Sequence, residues 1–126
     1  MLSLCSFAQQ GAVAALKGSQ EPVNQMVAEF ARRREVILQG LETAPGLSCV
    51  APGGAFYVFV KHDTRLNSFE LVEYLLAEAG VATVPGPEFG TGGEGYFRLS
   101  FATSLAKCQS GVARIAKAME KLTRSS

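Results

Sequence analysis

Two short runs of aromatic and β-branched residues constrain this chain more than any other feature of its sequence. AFYVFVK occupies residues 55–61 and YFRLSF occupies residues 96–101, and runs of this composition are typical of β-strands. Because side chains alternate between the two faces of a strand, each run presents an apolar face that needs cover. We therefore expect the two runs to lie in one sheet, with helices packed on its apolar face.

Helical periodicity surrounds these strands. Apolar side chains recur every three or four residues along Glu21–Glu42, which predicts one long amphipathic helix, and a shorter helix is predicted at Gln9–Leu16. Asn67 and Glu70 have the spacing of a capping box that starts a further helix, and Gly80 is placed to end it. A final helix is predicted after the last strand.

The order of these elements predicts an α/β fold of the α+β type. A small mixed three-stranded sheet, with VATV at residues 81–84 as its third strand, would be covered by helices and preceded by the long linking helix. We assign residues 1–45 to the N-terminal helix and the linking helix, and residues 46–126 to a small C-terminal α/β domain. The first helix and the start of the long one find no partner in that domain, so we expect the chain to continue upstream.

Composition and charge argue against several classes of protein. The formal net charge is +1, and the only basic cluster, RRR at residues 32–34, is flanked by glutamates, so we expect no nucleic-acid partner. No apolar run is long enough to cross a membrane, and the first residues lack the positive start of a signal peptide. The three cysteines are widely spaced and odd in number, which disfavours disulfides and a zinc site. These features predict a cytoplasmic protein.

The chain offers few groups for catalysis. His62 is the only histidine, and its place just after a strand predicts an exposed loop residue; the serines have no G-x-S-x-G setting. GTGGEG at residues 90–95 matches G-x-G-x-x-G, but it leads into a strand and not a helix, so we interpret it as a turn and not as a dinucleotide site. We therefore assign no catalytic, cofactor-binding or metal-binding residue to this chain.

Arg98 is the one remaining candidate for a functional side chain. It lies in the second aromatic run, on the face opposite Phe97, Leu99 and Phe101. The pattern leaves two interpretations open. Arg98 is either a solvated strand residue, as charges on sheets often are, or an arginine aimed into a cleft, where its planar guanidinium would hold a carboxylate by two parallel hydrogen bonds.

The combined spacing of several motifs resembles the C-terminal part of the class I/II aminotransferases, the fold-type-I pyridoxal-phosphate-dependent family. PGGAFYVFV at residues 52–60 is similar to the family's P-x-G-A-F-Y strand. The segment at residues 81–102 is similar to its V-x-x-x-P-G-x-x-F-G loop and G-x-x-R-[LI]-S-[FY] strand. Likeness upstream, in QQGAVAAL and in the long helix, extends the resemblance over nearly the whole chain.

This resemblance implies a role for Arg98. It falls on the family's arginine that binds the α-carboxylate of the amino acid or 2-oxo acid, which makes Arg98 the expected substrate-binding residue. The family's cofactor lysine lies upstream in a large cofactor-binding domain, and none of the lysines here lies in that lysine motif. The resemblance therefore implies a C-terminal fragment without its large domain, inactive alone and binding no cofactor.

For the complete protein, the resemblance implies an aminotransferase that uses pyridoxal phosphate and acts as a homodimer on amino acids and 2-oxo acids. Two other functions stay open. The same small domain could serve another pyridoxal-phosphate chemistry, such as C–S lysis, or it could be a stand-alone module in which Arg98 binds a carboxylate without catalysis.

Overall fold

This computed structural model describes residues 5–124, in which two helices are followed by two strands, a helix, two more strands and a last helix. Residues 1–4, in the predicted N-terminal part, and residues 125–126, in the predicted small domain, lie outside the described residues. The helices are α1 (Ser6–Lys17), α2 (Glu21–Glu42), α3 (Ser68–Tyr74) and α4 (Leu105–Arg124). The strands are β1 (Leu47–Cys49), β2 (Tyr57–His62), β3 (Val84–Pro85) and β4 (Tyr96–Ser100). A π-helical turn at Leu75–Ala79 continues α3, and 3-10 turns at Gly86–Phe89 and Thr91–Gly93 join β3 to β4.

Within the described residues, the sheet has four strands in the order β1-β2-β4-β3, and every neighbouring pair is antiparallel. The α/β class is therefore confirmed, whereas the predicted mixed three-stranded sheet is wrong in strand number and in direction. A strand–helix–strand order favours parallel neighbours, but here β4 inserts between β2 and β3 and pairs antiparallel with both. The prediction lacks β1 because three residues after a Pro-Gly turn give too short a pattern to recognise.

The predicted bounds of α2 agree with the structure, whereas the helix predicted at Gln9–Leu16 begins three residues earlier, at Ser6, and ends at Lys17. Asn67 Oδ1 accepts hydrogen bonds from the backbone N–H groups of Phe69 and Glu70, while the Glu70 carboxylate accepts the N–H of Asn67, so the capping box is confirmed. Gly80 ends the π-helical turn in the left-handed conformation, with φ 59°, which glycine adopts without steric cost. The predicted strand VATV is wrong for its first three residues, because β3 includes only Val84 and Pro85.

One face of the sheet forms the core, and three helices cover it. The alternation expected of the strands is observed: Val58 and Val60 on β2 and Phe97 and Leu99 on β4 are at most 5% exposed. Their cover comes from buried residues of α2, α3 and α4, including Ile37, Leu41, Leu71, Ile115 and Met119. The opposite face, on which Phe59 is 39% exposed, has no helix packed on it among the described residues and can carry a site.

The N-terminal helices pack differently from this core. α1 has no buried residue, and α2 buries only Ile37 and Leu41, both in its second half. Large apolar side chains such as Phe7, Leu16 and Val27 are more than half exposed. α1 and the first half of α2 therefore contribute no buried residue among the described residues, while the proposed boundary at residue 45 stays a prediction.

The connection between β3 and β4 is held by a backbone contact between two glycines. A Cβ placed on Gly86 would overlap the carbonyl oxygen of Gly93, and a Cβ on Gly93 would overlap the carbonyl of Gly86. Both residues are buried. The two 3-10 turns can lie against each other only because neither position carries a side chain.

We expect Gly86→Ala to destabilise this connection, because the new methyl group must displace backbone and not a mobile side chain. The free energy of unfolding should fall by about 1–3 kcal/mol, the cost typical of overpacking. Gly92→Ala is the matched control, since a Cβ there meets nothing within 4 Å; it should change stability by less than about 0.5 kcal/mol. Urea unfolding of both variants tests this, and equal stabilities would contradict the contact.

Candidate functional site

The helix-free face of the sheet carries the predicted site residue. Arg98 lies in the middle of β4, half-buried, with Phe59 of β2 on one side and Val84 of β3 on the other. Tyr57 and Lys61 lie on the same face of β2, where Lys61 is opposite Tyr96. The expected alternation is confirmed, because Phe97, Leu99 and Phe101 all point into the core while Arg98 does not.

Two aromatic rings enclose the guanidinium of Arg98. Its Cζ atom lies 4.2 Å from the centroid of the Tyr57 ring and 4.5 Å from the centroid of the Phe89 ring. A cation at this distance is attracted by the negative face of an aromatic ring. Within residues 5–124, Arg98 forms no ion pair with an acidic side chain. Its charge is therefore held in place by aromatic rings while its N–H groups stay available to an anion.

A cavity of about 750 Å³ opens beside Arg98. Residues 48–53 form one wall, and side chains of β2 and β4 form the other, among them Tyr57, Phe59, Lys61 and Tyr96. This volume is within the range of small-molecule sites, which are mostly apolar with a few convergent polar groups. Arg98 and Lys61 both line it and no Asp or Glu does, so its electrostatic potential favours an anionic ligand.

The second half of α2 supports one wall of this cavity. Arg34 Nη1 donates a hydrogen bond of 3.0 Å to the carbonyl oxygen of Pro52. Beyond this wall, Ala55 has φ 59°, a left-handed conformation that is uncommon for a residue with a side chain. A contact between residues 18 positions apart left no recognisable pattern in the sequence, so Arg34 could not be assigned to the cavity wall in advance.

His62 is buried, and the prediction of an exposed loop residue is wrong. It is 7% exposed, and its ring nitrogens lie 3.1 Å from Thr64 Oγ1 and 3.4 Å from Ser68 Oγ. The reason is that β2 extends one residue farther than its aromatic pattern, since the His62 N–H donates to the carbonyl of Gly95 at 2.9 Å. Burial lowers the pKa of His62, and the nearby Glu94 and Asp63 only partly oppose this effect.

Glu94 completes a polar network around Ser68. Its carboxylate accepts hydrogen bonds from the backbone N–H and the hydroxyl of Ser68, at 2.9 Å and 3.1 Å, and these bonds lower the pKa of Glu94. Gly95 N–H in turn donates to Ser68 Oγ at 2.9 Å. The network joins the end of β2, the start of α3 and the turn before β4, which confirms that GTGGEG forms a turn.

Although serine, histidine and glutamate meet here, the arrangement does not suit nucleophilic catalysis. Ser68 is 0% exposed, so its hydroxyl cannot reach a substrate, and the Glu94 carboxylate contacts the serine instead of orienting the histidine. The network instead fixes the backbone that leads into Arg98. In the part of the chain that the structure describes, no group of three or more His, Cys, Asp or Glu residues could hold a metal ion. None of its helices is both long and apolar enough to cross a membrane.

Comparison with known proteins gives consistent matches. The family model described as aminotransferase class I and II matches residues 1–115. A probable aspartate/prephenate aminotransferase of Rickettsia felis is 39% identical over 125 residues, which cover 90% of this chain and 30% of that protein. The putative aminotransferase YugH of Bacillus subtilis is 39% identical over 124 residues, which cover 98% of this chain and 32% of that protein.

Solved structures agree with these relatives. The alanine aminotransferase of Pyrococcus furiosus superposes with a TM-score of 0.86 at 33% identity, over 90% of this chain and 30% of that one. The aspartate aminotransferase of Rhizobium meliloti gives a TM-score of 0.82 at 35% identity, over 90% of this chain and 31% of that one. This chain therefore spans about 30% of the length of the relatives it matches.

The buried histidine predicts a pH-dependent stability. Because the pKa of folded His62 lies below the ordinary value of 6.5, the unfolded chain takes up the proton first as the pH falls. The free energy of unfolding should therefore decrease as the pH drops through 6.5 towards the folded pKa. Glu94 should add a further loss at lower pH, below the ordinary value of 4.5.

His62→Gln isolates the histidine contribution, because glutamine can replace the hydrogen bonds to Thr64 and Ser68 but does not titrate. Urea midpoints at about pH 7.5 and about pH 5.5, which bracket the histidine range, should differ less in the variant than in the original chain. An unchanged difference would show that His62 does not cause the acid sensitivity.

Proposed function

Since this chain belongs to the class I and II aminotransferases, we propose that it is the carboxylate-binding part of an enzyme that moves an amino group between an amino acid and a 2-oxo acid. The observation that carries this proposal is the state of Arg98. Its guanidinium is enclosed by two rings, forms no ion pair within the described residues, and lines a cavity of ligand size.

Arg98 suits the α-carboxylate that all amino acids and 2-oxo acids share. A guanidinium makes two parallel, charge-assisted hydrogen bonds to a carboxylate, which fix the orientation of the ligand as well as its position. β4 is a central strand, paired on both sides, so it offers a rigid base for such a contact. Holding the carboxylate in this way places the α-carbon for reaction and removes much of the entropy cost of bringing the reactants together.

The family implies pyridoxal phosphate as the cofactor of the complete enzyme. When bound, this cofactor accepts electron density from the α-carbon and carries the amino group. The cavity beside Arg98 does not fit it, because the lining has two cations and no carboxylate to pair with the pyridine nitrogen. We therefore assign the cofactor to the part of the relatives' length that this chain does not span, and assign substrate binding to Arg98.

The assignment of the cofactor to another part of the protein also explains why the N-terminal helices expose apolar side chains. α1 and the first half of α2 expose apolar side chains such as Phe7, Leu16 and Met26, and large apolar patches are rarely left in water. We propose that the large domain of the same protein covers them. A homodimer and a cytoplasmic location are what the resemblance and the composition predict for the complete protein.

The first test is substitution of Arg98 in the complete protein. Arg98→Ala should lower kcat/KM for the best amino acid by about 2–5 kcal/mol, roughly 30- to several-thousand-fold at about 1.4 kcal/mol per decade. Arg98→Lys should also lower it, by less, because lysine keeps the charge and loses the planar fork. The amine that lacks the carboxylate serves as the control and should be affected much less. A change of less than about threefold for the amino acid, under about 1 kcal/mol, would reject the assignment of Arg98.

A second test uses this chain by itself. With pyridoxal phosphate and an amino-acid/2-oxo-acid pair it should give no transamination, because its described cavity lacks the groups that the cofactor needs. The measurements are titration of cofactor absorbance and a coupled assay for the amino product. Saturable, one-to-one cofactor binding with turnover would contradict the assignment of the cofactor to another part of the protein.

A further inference from the structure

Phe89 extends the proposed site beyond the arginine. We propose that Phe89 is a positioning residue, whose ring fixes the guanidinium of Arg98 so that its N–H edge meets the substrate carboxylate; this inference rests on the proposed function. The ring centroid lies 4.5 Å from Arg98 Cζ, on one side of the guanidinium, and Tyr57 lies at 4.2 Å. The sequence pattern and the pairing of β4 do not identify Phe89 as a site residue, because Phe89 lies in the connection between β3 and β4.

The position of Phe89 is determined by the fold around it. It ends the 3-10 turn Gly86–Phe89, and that turn is held by the backbone contact between Gly86 and Gly93. The next turn is tied to α3 by the carboxylate of Glu94. Because this connection is constrained at both ends, the contact between Phe89 and Arg98 is determined by the fold.

A second ring supports Phe89 from the sheet. The Phe59 ring meets it edge to face, with centroids 5.8 Å apart and planes at 80°, an arrangement that aromatic pairs prefer. Phe59 in turn stacks on Tyr96 with centroids 5.3 Å apart. Phe89 therefore bridges the guanidinium and the aromatic surface of β2 and β4.

The chemical consequence follows from the shape of the guanidinium. Its faces bind aromatic rings, whereas its edges carry the N–H donors. The two rings, with centroids 4.2 Å and 4.5 Å from Cζ, hinder rotation of the group, which favours a charge-assisted hydrogen bond at the edge. Loss of Phe89 should therefore weaken the recognition of a carboxylate while leaving the rest of the ligand unaffected.

Phe89 can be changed without disturbing the core. Its side chain is 48% exposed, and so is that of Phe69 on α3, which contacts no cation within the described residues. Phe89→Leu removes the ring, Phe89→Tyr keeps it, and Phe69→Leu is the matched control for loss of an equally exposed ring. All three should fold, since substitutions at exposed positions change stability little.

The experiment uses the complete protein with L-aspartate, L-alanine and L-phenylalanine, each compared with the amine left when its α-carboxylate is replaced by hydrogen. Phe89→Leu should lower kcat/KM for the best amino acid about three- to tenfold, the range supported by a partly desolvated cation–π contact, and leave the amine unchanged. Phe89→Tyr and Phe69→Leu should behave like the original protein.

In an Arg98→Ala background, Phe89→Leu should have no further effect. Equal losses for amino acid and amine, or additive effects of the two substitutions, would overturn the inference.

A binding measurement separates this inference from the proposed function. The probes are 3-phenylpropanoate and its neutral analogue 3-phenylpropanamide, titrated calorimetrically against the original protein and Phe89→Leu. The preference for the carboxylate should fall about three- to tenfold in the variant, again the range of a cation–π contact; an unchanged preference overturns the inference whatever the activity. If the original protein transaminates none of the three amino acids, the proposed function fails, while a reduced carboxylate preference in the variant still supports the role of Phe89.

Discussion

The antiparallel pairing of β2 with β4 is the constraint on which the rest of the structure depends. Because side chains alternate along each strand, the register that buries Val60 opposite Phe97 also sets Phe59 opposite Arg98 on the other face. A shift by one residue would turn Arg98 into the core and expose Phe97. The hydrophobic core and the proposed carboxylate site are therefore specified by one set of backbone hydrogen bonds.

The site also depends on residues outside the sheet, which act through the backbone. Arg34 holds Pro52 in the cavity wall from the side of α2, and Glu94 holds the turn before β4 from the side of α3. These two contacts involve different helices, α2 and α3. Arg98 itself needs no acidic partner among the described residues, because aromatic rings and not carboxylates stabilise its position.

Local patterns in the sequence predict local structure well and long-range contacts poorly. The bounds of α2 and the capping box of α3 agree with prediction because they depend on nearby residues, and the outward position of Arg98 follows from alternation alone. The strand order, the burial of His62 and the role of Glu94 depend on β4 lying between β2 and β3, which no local pattern encodes. The contact between Phe89 and Arg98 could not be predicted for the same reason, since it requires the folded connection between β3 and β4. The family resemblance supplied the role expected of Arg98, which the pattern alone left undecided.

The central place of the last strand has a consequence for synthesis on the ribosome. β2 and β3 are not neighbours in the sheet and are joined through β4, so the complete four-stranded sheet cannot assemble until residues 96–100 have emerged from the exit tunnel. Until then, β2 presents an unpaired strand edge rich in aromatic residues, the kind of surface at which nascent chains associate wrongly. A chain that ends before β4 would therefore lack both Arg98 and the strand that covers the edges of its neighbours.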